Sequence, residues 1–481
     1  MKRLYIIFLV TLFAGVSCTK DWEEMNVNPN DPNDVPMTNL LANSLVNTGE
    51  DFFDEWQGLN NFLSYSGHIT KIAYIDEARY SYRPNVVNQA FRDYYRIQLD
   101  LEKMIEKAKA ADKPYSEAVA ITYSVFLWQM AVDQWGDIPY SEAIQAEGDD
   151  PNLIPKYDKA EDIYAALFVE IEKANALFNL PENTANPDEI GDGDFLYEGD
   201  VAKWQKFCNS IHLRLAIRTQ NQAEYNVVMT AGHPVFESND DEAKLKWQGT
   251  SPYKEPWALN LESRDDHGMA KTFIDMMLSL DDPRLPVYAI ANDAGDYVGA
   301  PEGAPNNAFA VNDISRIGDK YRDDAAGYTY FLRYSEVEFI KAEAALLGWD
   351  GDAQVSYESG IAAVFAETEM TDALADYMLK AEIAWGDESV YSNMEKIWLQ
   401  KWIGLFKQGQ ELWAENRRTD FPVMDMATGS VFPGHNRQPF RYAYPDNEFN
   451  LNGSNIAGPA SVVVDHFWGE QLFWDKRTGV N

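Results

Sequence analysis

The chain has two cysteines, and Cys18 stands directly behind an apolar run, where a thiol can be acylated after the segment before it is removed. Lys2 and Arg3 form a positive start, and Leu4 to Val16 is apolar apart from Thr11. That run is shorter than the ~20 residues needed to cross a bilayer, but it suits a cleaved signal segment. Two acyl chains on Cys18 would hold the rest of the chain stably at a membrane, where a single chain would not. With Cys18 acylated, Cys208 has no partner, so the fold must rest on its core and not on a disulfide.

Other reactive side chains do not assemble into a catalytic pattern. No GxSxG, HExxH, CxxC or P-loop sequence occurs, and His68, His212, His233, His267, His435 and His466 are dispersed without metal-ligand spacing. No catalytic residue is therefore nominated. Hydrolysis of a glycoside needs only two carboxylates, and 77 acidic residues cannot single out such a pair. Asp192-Gly193-Asp194, with Glu198 and Asp200, offers hard oxygen ligands for a structural calcium. It lacks the full calcium-loop pattern, so an exposed acidic turn is the better reading, and no cofactor or metal is expected. Cys208 and His212 share a helix face at i, i+4, which reads as core packing.

Aromatic residues outside regular helices carry more information. HITKIAYIDEARYSYRPN holds Tyr74, Tyr80 and Tyr82; KWQGTSPYKEPWALN holds Trp247, Tyr253 and Trp257; Tyr297 follows. Aromatic faces among Asp, Asn, Gln and Arg suit a sugar, whose apolar CH face stacks while its hydroxyls bond the polar neighbours. The plainer reading is that each ring anchors its own loop. As a set they are the expected ligand contacts, and removing Trp257 and Tyr253 together is expected to abolish binding without unfolding the chain.

The elements that must position these residues are helical. Residues 1–17 read as the signal segment and 18–36 as anchor and Asn/Asp/Pro-rich linker, leaving 37–481 as one domain. Helical periodicity dominates 86–220 and 330–420. Tyr115 to Trp135 is closed by Gly136 and Pro139; Asp158, with Glu161 three residues later, suggests a capping box before Ile163, Leu167 and Ile171. A helix is expected from about Tyr330 to Gly348, and another from about Met394 to Trp413, followed by Arg417 and Arg418 as charges for the helix dipole or the acidic scaffold. Helices in pairs of repeat length, with small residues as in KAEAALLG, fit a tetratricopeptide-like scaffold. Residues 225–330 are irregular and rich in Gly, Pro, Asp and Asn, which marks functional surface.

Composition narrows the partners. The formal net charge is −37 with pI about 4.4, and loss of Lys2 and Arg3 with the leader takes −37 to −39. Such a field repels nucleic acid, phosphates and anionic membranes, and it favours neutral or cationic ligands. The 46% hydrophobic and 13% aromatic content supports a large core.

NVNPN, VDQWGDIPYSEAI, KYDKAEDIYAALFVEIEKA, FLRYSEVEFIKAEAALLGW, ELWAENRRTDFPVM and RQPFRYAYPDNEFNLN resemble, in order, the SusD/RagB outer-membrane lipoproteins of Bacteroidota. The resemblance spans nearly the whole mature chain and is closest to the SusD-like branch. Thr19-Lys20-Asp21 and Glu23-Glu24 resemble the signal that sends some lipoproteins to the outer face of the outer membrane. Gly15 departs from the leucine usual three positions before the lipid-bearing cysteine. The resemblance implies an all-α scaffold of about four helix pairs with an irregular ligand face and no catalysis. It also implies a role as a lid that delivers nutrient, mostly glycan, to a SusC-type TonB-dependent transporter, with the lipid anchor as the only membrane contact. Ligand contacts are expected within about 66–84 and 240–300. An oligopeptide-binding lid and an interaction scaffold with no small ligand are the alternatives.

Overall fold

The computed structural model describes residues 35–146 and 151–481; the signal segment, Cys18 and most of the linker lie outside them. Helix dominates. The principal helices are α1 (Met37–Phe52), α2 (Pro84–Ala110), α3 (Pro114–Trp135), α4 (Ala160–Phe178), α5 (Val201–Arg218), α6 (Tyr334–Leu346), α7 (Ala353–Glu367), α8 (Asn393–Gly404) and α9 (Gly409–Thr419). Among the described residues no helix is long and apolar enough to cross a membrane.

Sequence chemistry sets the ends of these helices. Pro84 and Pro114 start α2 and α3, where a missing N–H costs nothing. In α2, Val87, Phe91, Tyr94, Ile97, Leu101 and Met104 recur at helical spacing and are buried. Helix α3 is buried on almost every side and stops at Gly136, whose φ of 79° suits glycine. Ser392 and Glu395 cap α8 reciprocally. The box expected at Asp158 does not form. Asp158 Oδ2 accepts from the Tyr140 and Ser141 amides (3.1 and 2.7 Å), while Asp137 of the WGDIPY stretch accepts from the Ala160 amide (3.0 Å) at the start of α4.

Successive helices pack on one another, α2 on α3, α3 on α4, α4 on α5 and α6 on α7, with α8 against α6 and α7 and α1 on α2. This is the expected tetratricopeptide-like arrangement. Two expected boundaries move. Tyr328–Leu332 is strand β4, paired antiparallel with β2 (Ala243–Lys246), so the helix begins at Tyr334. The run from Met394 breaks at Lys407, which has φ 75° and sends Nζ to buried Glu255 at 2.8 Å. A left-handed residue cannot continue a right-handed helix.

Two apolar clusters divide the interior. One joins α1–α5 to the C-terminal rings of Phe440, Tyr442, Phe467, Trp468 and Trp474. The other joins α6–α9 to Trp257, Phe273, Tyr288 and Tyr321 of the long connection between α5 and α6. Buried charges lie where α3, α5, α6, α8 and α9 meet. Arg214 reaches Glu336 (2.7 Å), Lys401 reaches Glu415 (2.8 Å), and Arg418 grips both Glu343 (2.6 Å) and Glu415 (2.8 Å). Arg418 thus pairs with the acidic scaffold as the sequence suggests. Arg417 lies over the Trp413 ring at 3.5 Å and donates to the carbonyls of Phe440 and Asp133 (2.8 and 2.7 Å), inside α9 and not beyond its end.

Candidate functional site

Three segments of separate origin converge beside the C-terminal end of α1. The first is the π-helix Glu55–Phe62, capped by Asp54, whose Oδ1 accepts from the Gln57 amide at 2.8 Å. Its wide turn puts Trp56 on the surface, 41% exposed; π-helical turns recur at functional sites. The second segment follows β1 (Ile69–Lys71), which pairs antiparallel with β3 (His267–Met269). Here Tyr74 takes φ 51° and is 70% exposed. A left-handed tyrosine is uncommon and must be held by its neighbours. The amides of Ile72 and Ala73 do so, both donating to the Asp266 carbonyl (2.7 and 3.3 Å).

The third segment, Asn260–Asp266, faces Tyr74. The Arg264 guanidinium lies 5.6 Å from the Tyr74 ring centroid and is fixed by the Asp266 carboxylate at 3.0 Å. Asn260 donates through Nδ2 to Glu55, which ties this segment to the π-helix. Beside the platform lies a cavity of about 490 Å³ lined by Asp51, Asp54, Trp56, Gln57, Arg83 and Asn85, among others. Arg83 is held by Glu77 (2.9 Å) and Asp76 (3.1 Å).

Burial sets the charge state of this cavity. It pushes Asp51 up to about 6, helped by nearby Asp93 and opposed by Arg96. It pushes Asp54 up to about 7 against the hydrogen bonds from the Gln57 and Trp56 amides. Glu55 is also raised, mainly by burial and against Lys71 and Arg264. His267, below the platform, falls to about 3 through burial and the nearby cations, so its neutral ring bonds Asn60 Oδ1 at 2.7 Å. The result is one exposed ring, Trp56, on a cavity of amide, guanidinium and partly protonated carboxyl groups, and a second, Tyr74, against Arg264 on the segment that Asn260 ties to Glu55. Such a set can hold a hydroxyl-rich, uncharged ligand without a reacting group.

The seven expected contacts do not come together. Tyr74 alone stands on this platform. Tyr80 is buried edge-on to Tyr65 and Trp468, with its hydroxyl accepting from the Ala427 amide (2.9 Å). Trp257 is fully buried in the second cluster and donates to the Phe53 carbonyl (3.0 Å). Trp247 is buried and bonded to Thr329 Oγ1 (2.9 Å). Rings enclosed in this way have no free face, so Tyr80 and Trp257 act as loop anchors, the plainer of the two sequence readings. Tyr82 stacks on His466 at 4.1 Å and donates to Asp446 (2.8 Å), while Tyr297 rests half-buried on the second cluster. Tyr253 is 43% exposed on a different groove.

Sequence reasoning missed Trp56, Arg264 and Glu55; the only signal was a tryptophan in the acidic stretch DFFDEWQG just past a helix. The acidic turn at Asp192–Asp200 is structural. Asp194 accepts from the amides of Leu196, Tyr197 and Gly199 and from Trp204 Nε1 (2.7 Å), and Gly193 packs directly on the Thr38 backbone. Among the described residues no cluster of His, Cys, Asp or Glu could hold a metal.

The scaffold is a helical repeat that carries an aromatic and polar cleft on its inserted segments. The sequence matches the SusD-like family, described as starch-binding and associating with the outer membrane, over residues 29–445, and the chain belongs to that family. A SusD homologue from Parabacteroides distasonis shares the fold with TM-score 0.81 at 21% identity, over 92% of this chain and 98% of that one. A chitin-binding SusD homologue from Flavobacterium johnsoniae gives 0.78 at 23%, over 91% and 97%. A SusD homologue from Bacteroides fragilis gives 0.77 at 23%, over 92% and 100%. No curated protein matches the sequence.

Proposed function

We propose that this chain is a cell-surface lipoprotein, tethered through Cys18, that captures a glycan and delivers it as a lid to a SusC-type TonB-dependent transporter. Residues 37–481 act as one binding unit, and the tetratricopeptide-like helices face the transporter. The observation that carries the reading is the Trp56–Tyr74–Arg264 platform beside a polar cavity, on the scaffold of a starch-binding family. Tyr74 is the expected aromatic that fits this role; Tyr82, beside Arg83 in sequence, borders the same loop. The raised Asp54 carboxyl, and the Arg96 guanidinium paired with Asp51, reduce the negative charge of the cleft near neutral pH, which favours a neutral sugar over a cationic peptide.

Calorimetry of the chain from Thr19 onward against starch, chitin and xylan oligosaccharides and a peptide panel tests this. Binding of one glycan class is expected. The double substitution Trp56→Ala with Tyr74→Ala removes two stacking faces worth about 1–3 kcal/mol together, so affinity should fall roughly 5- to 150-fold. Peptide binding with no glycan binding would move the reading to an oligopeptide lid. Silence on both panels would favour an interaction scaffold.

A further inference from the structure

A second groove, of about 470 Å³, is lined along α1 by Asn39, Asn43, Asn47 and Glu50, next in the chain to Asp51. Asn39, Asn43 and Asn47 recur every four residues, so they stand on one face of α1. Asparagine is a poor helix former, and these three lie on the outer face, so neither helix stability nor core packing accounts for them. Asn43 donates to Asp100 (2.7 Å), whereas the Asn39 and Asn47 amides make no side-chain hydrogen bond among the described residues. Across the groove stand Gln248 and two rings, Phe195 (45% exposed) and Tyr253 (43% exposed).

The groove has a rigid floor. The Trp247 indole lies so close to α1 that a Cβ at Gly49 would come within 2.7 Å of it, and its Nε1 is fixed on Thr329. Tyr253 is presented by a tight turn in which the Gly249 amide donates to the Tyr253 carbonyl (3.1 Å). The two charged residues along the groove, Glu50 and Lys246, are opposite in sign. Free amides facing two exposed rings on a rigid apolar floor, without net charge, match an uncharged polyhydroxylated ligand.

We infer that this groove is a second glycan subsite, which holds a more distant part of the same polymer whose one segment occupies the Trp56–Tyr74 platform. The inference rests on the glycan reading above. From Asn39 to Asp51 α1 rises about 18 Å, so the groove and the cavity at Asp51 adjoin one helix, and one chain could engage both sites. Two linked contacts raise affinity for a polymer far more than for a short oligosaccharide.

The test is affinity electrophoresis in gels containing soluble starch, glycol chitin or xylan, alongside calorimetry with the matching short oligosaccharides. The full mature chain is compared with Phe195→Ala/Tyr253→Ala, with Asn39→Ala/Asn47→Ala, and with Trp56→Ala/Tyr74→Ala; all the altered side chains reach solvent, and circular dichroism checks the fold. The first two variants should lose about fivefold or more in polymer affinity and bind the short oligosaccharide as the parent does. Trp56→Ala/Tyr74→Ala should lose the short oligosaccharide and keep weak polymer retardation. Groove variants that match the parent on every polymer would overturn the second subsite and leave the proposed function standing. Loss of the short oligosaccharide in the groove variants alone would overturn the assignment of the platform and make the groove the principal site. A parent chain retarded by none of the polymers, or groove variants that lose peptide binding only, would overturn the inference.

Discussion

Replacing Trp257 by alanine separates packing from recognition in this molecule. The indole is fully buried, lies edge-on to Phe406 (6.2 Å between centroids), and carries the Lys407 ammonium 5.1 Å above it. Its Nε1 also satisfies the Phe53 carbonyl at the end of α1. Removal of a buried Trp side chain costs about 3–5 kcal/mol, and the orphaned carbonyl keeps the loss toward the upper end. Against a total stability of about 5–15 kcal/mol, that is a large fraction. Urea unfolding followed by far-ultraviolet circular dichroism should show a lower midpoint with little change in slope. Tyr74→Ala, made at a 70% exposed ring, should stay within about 0.5 kcal/mol of the parent while weakening glycan binding. If Trp257→Ala costs under about 1 kcal/mol and yet abolishes binding, the indole belongs to the ligand face, and the assignment of Trp257 to the core is refuted.

Two further outcomes follow from the charged groups. Asp54 is raised to about 7 in the folded chain, so between about pH 4 and 7 the folded state keeps a proton that the unfolded state has lost. Its contribution therefore makes stability fall as pH rises through that window, by up to about 1.4 kcal/mol per pH unit, and Asp51 adds to the fall up to about pH 6. Asp54→Asn should remove its share, so the stability of the variant relative to the parent should climb from pH 4.5 to 7; parallel curves would count against it. Arg418 grips both oxygens of Glu343 (2.6 and 2.7 Å) in a buried setting, so Arg418→Ala should cost about 3–5 kcal/mol. In a double-mutant cycle, removing Glu343 as well should recover part of that loss, and simple additivity of the two losses would argue against the pairing.

The scaffold was largely legible because its signals are local. Apolar residues at helical spacing, with Gly136 at a stop, locate α3 (Tyr115 to Trp135) and α4 (through Ile163, Leu167 and Ile171) without reference to distant contacts. What was not legible depends on partners far away in the chain. Lys407 breaks the expected Met394–Trp413 helix because Glu255 receives its ammonium, and Tyr328–Leu332 extends because β2 lies beside it. Asp158 carries the pattern of a cap, yet the folded chain brings Asp137 to the α4 amide and the Tyr140–Ser141 turn to Asp158. The site suffered most. In irregular segments no periodicity marks which ring faces inward, so Tyr74 and Trp257 read alike in sequence and lie at opposite extremes of exposure.

The charge distribution explains how a chain so acidic can present a neutral binding face. Where the helix pairs meet, Arg214, Arg218, Lys401 and Arg418 are set against Glu336, Glu343, Glu411 and Glu415, so the buried part of the scaffold is close to balanced. The excess of acid therefore lies toward the solvent, where it repels anionic polymers at long range and is screened by salt. The platform escapes this field by two local devices: Arg264, Arg83 and Arg96 neutralise the carboxylates of Asp266, Glu77 and Asp51, and burial keeps a proton on part of the Asp54 carboxyls near neutral pH. Its parts are joined to one another through Asp266 and Glu55, not through the helix pairs. Substitutions at Trp56, Tyr74 or Arg264 can thus alter which ligand is held while the ion pairs and apolar clusters that maintain the scaffold stay intact.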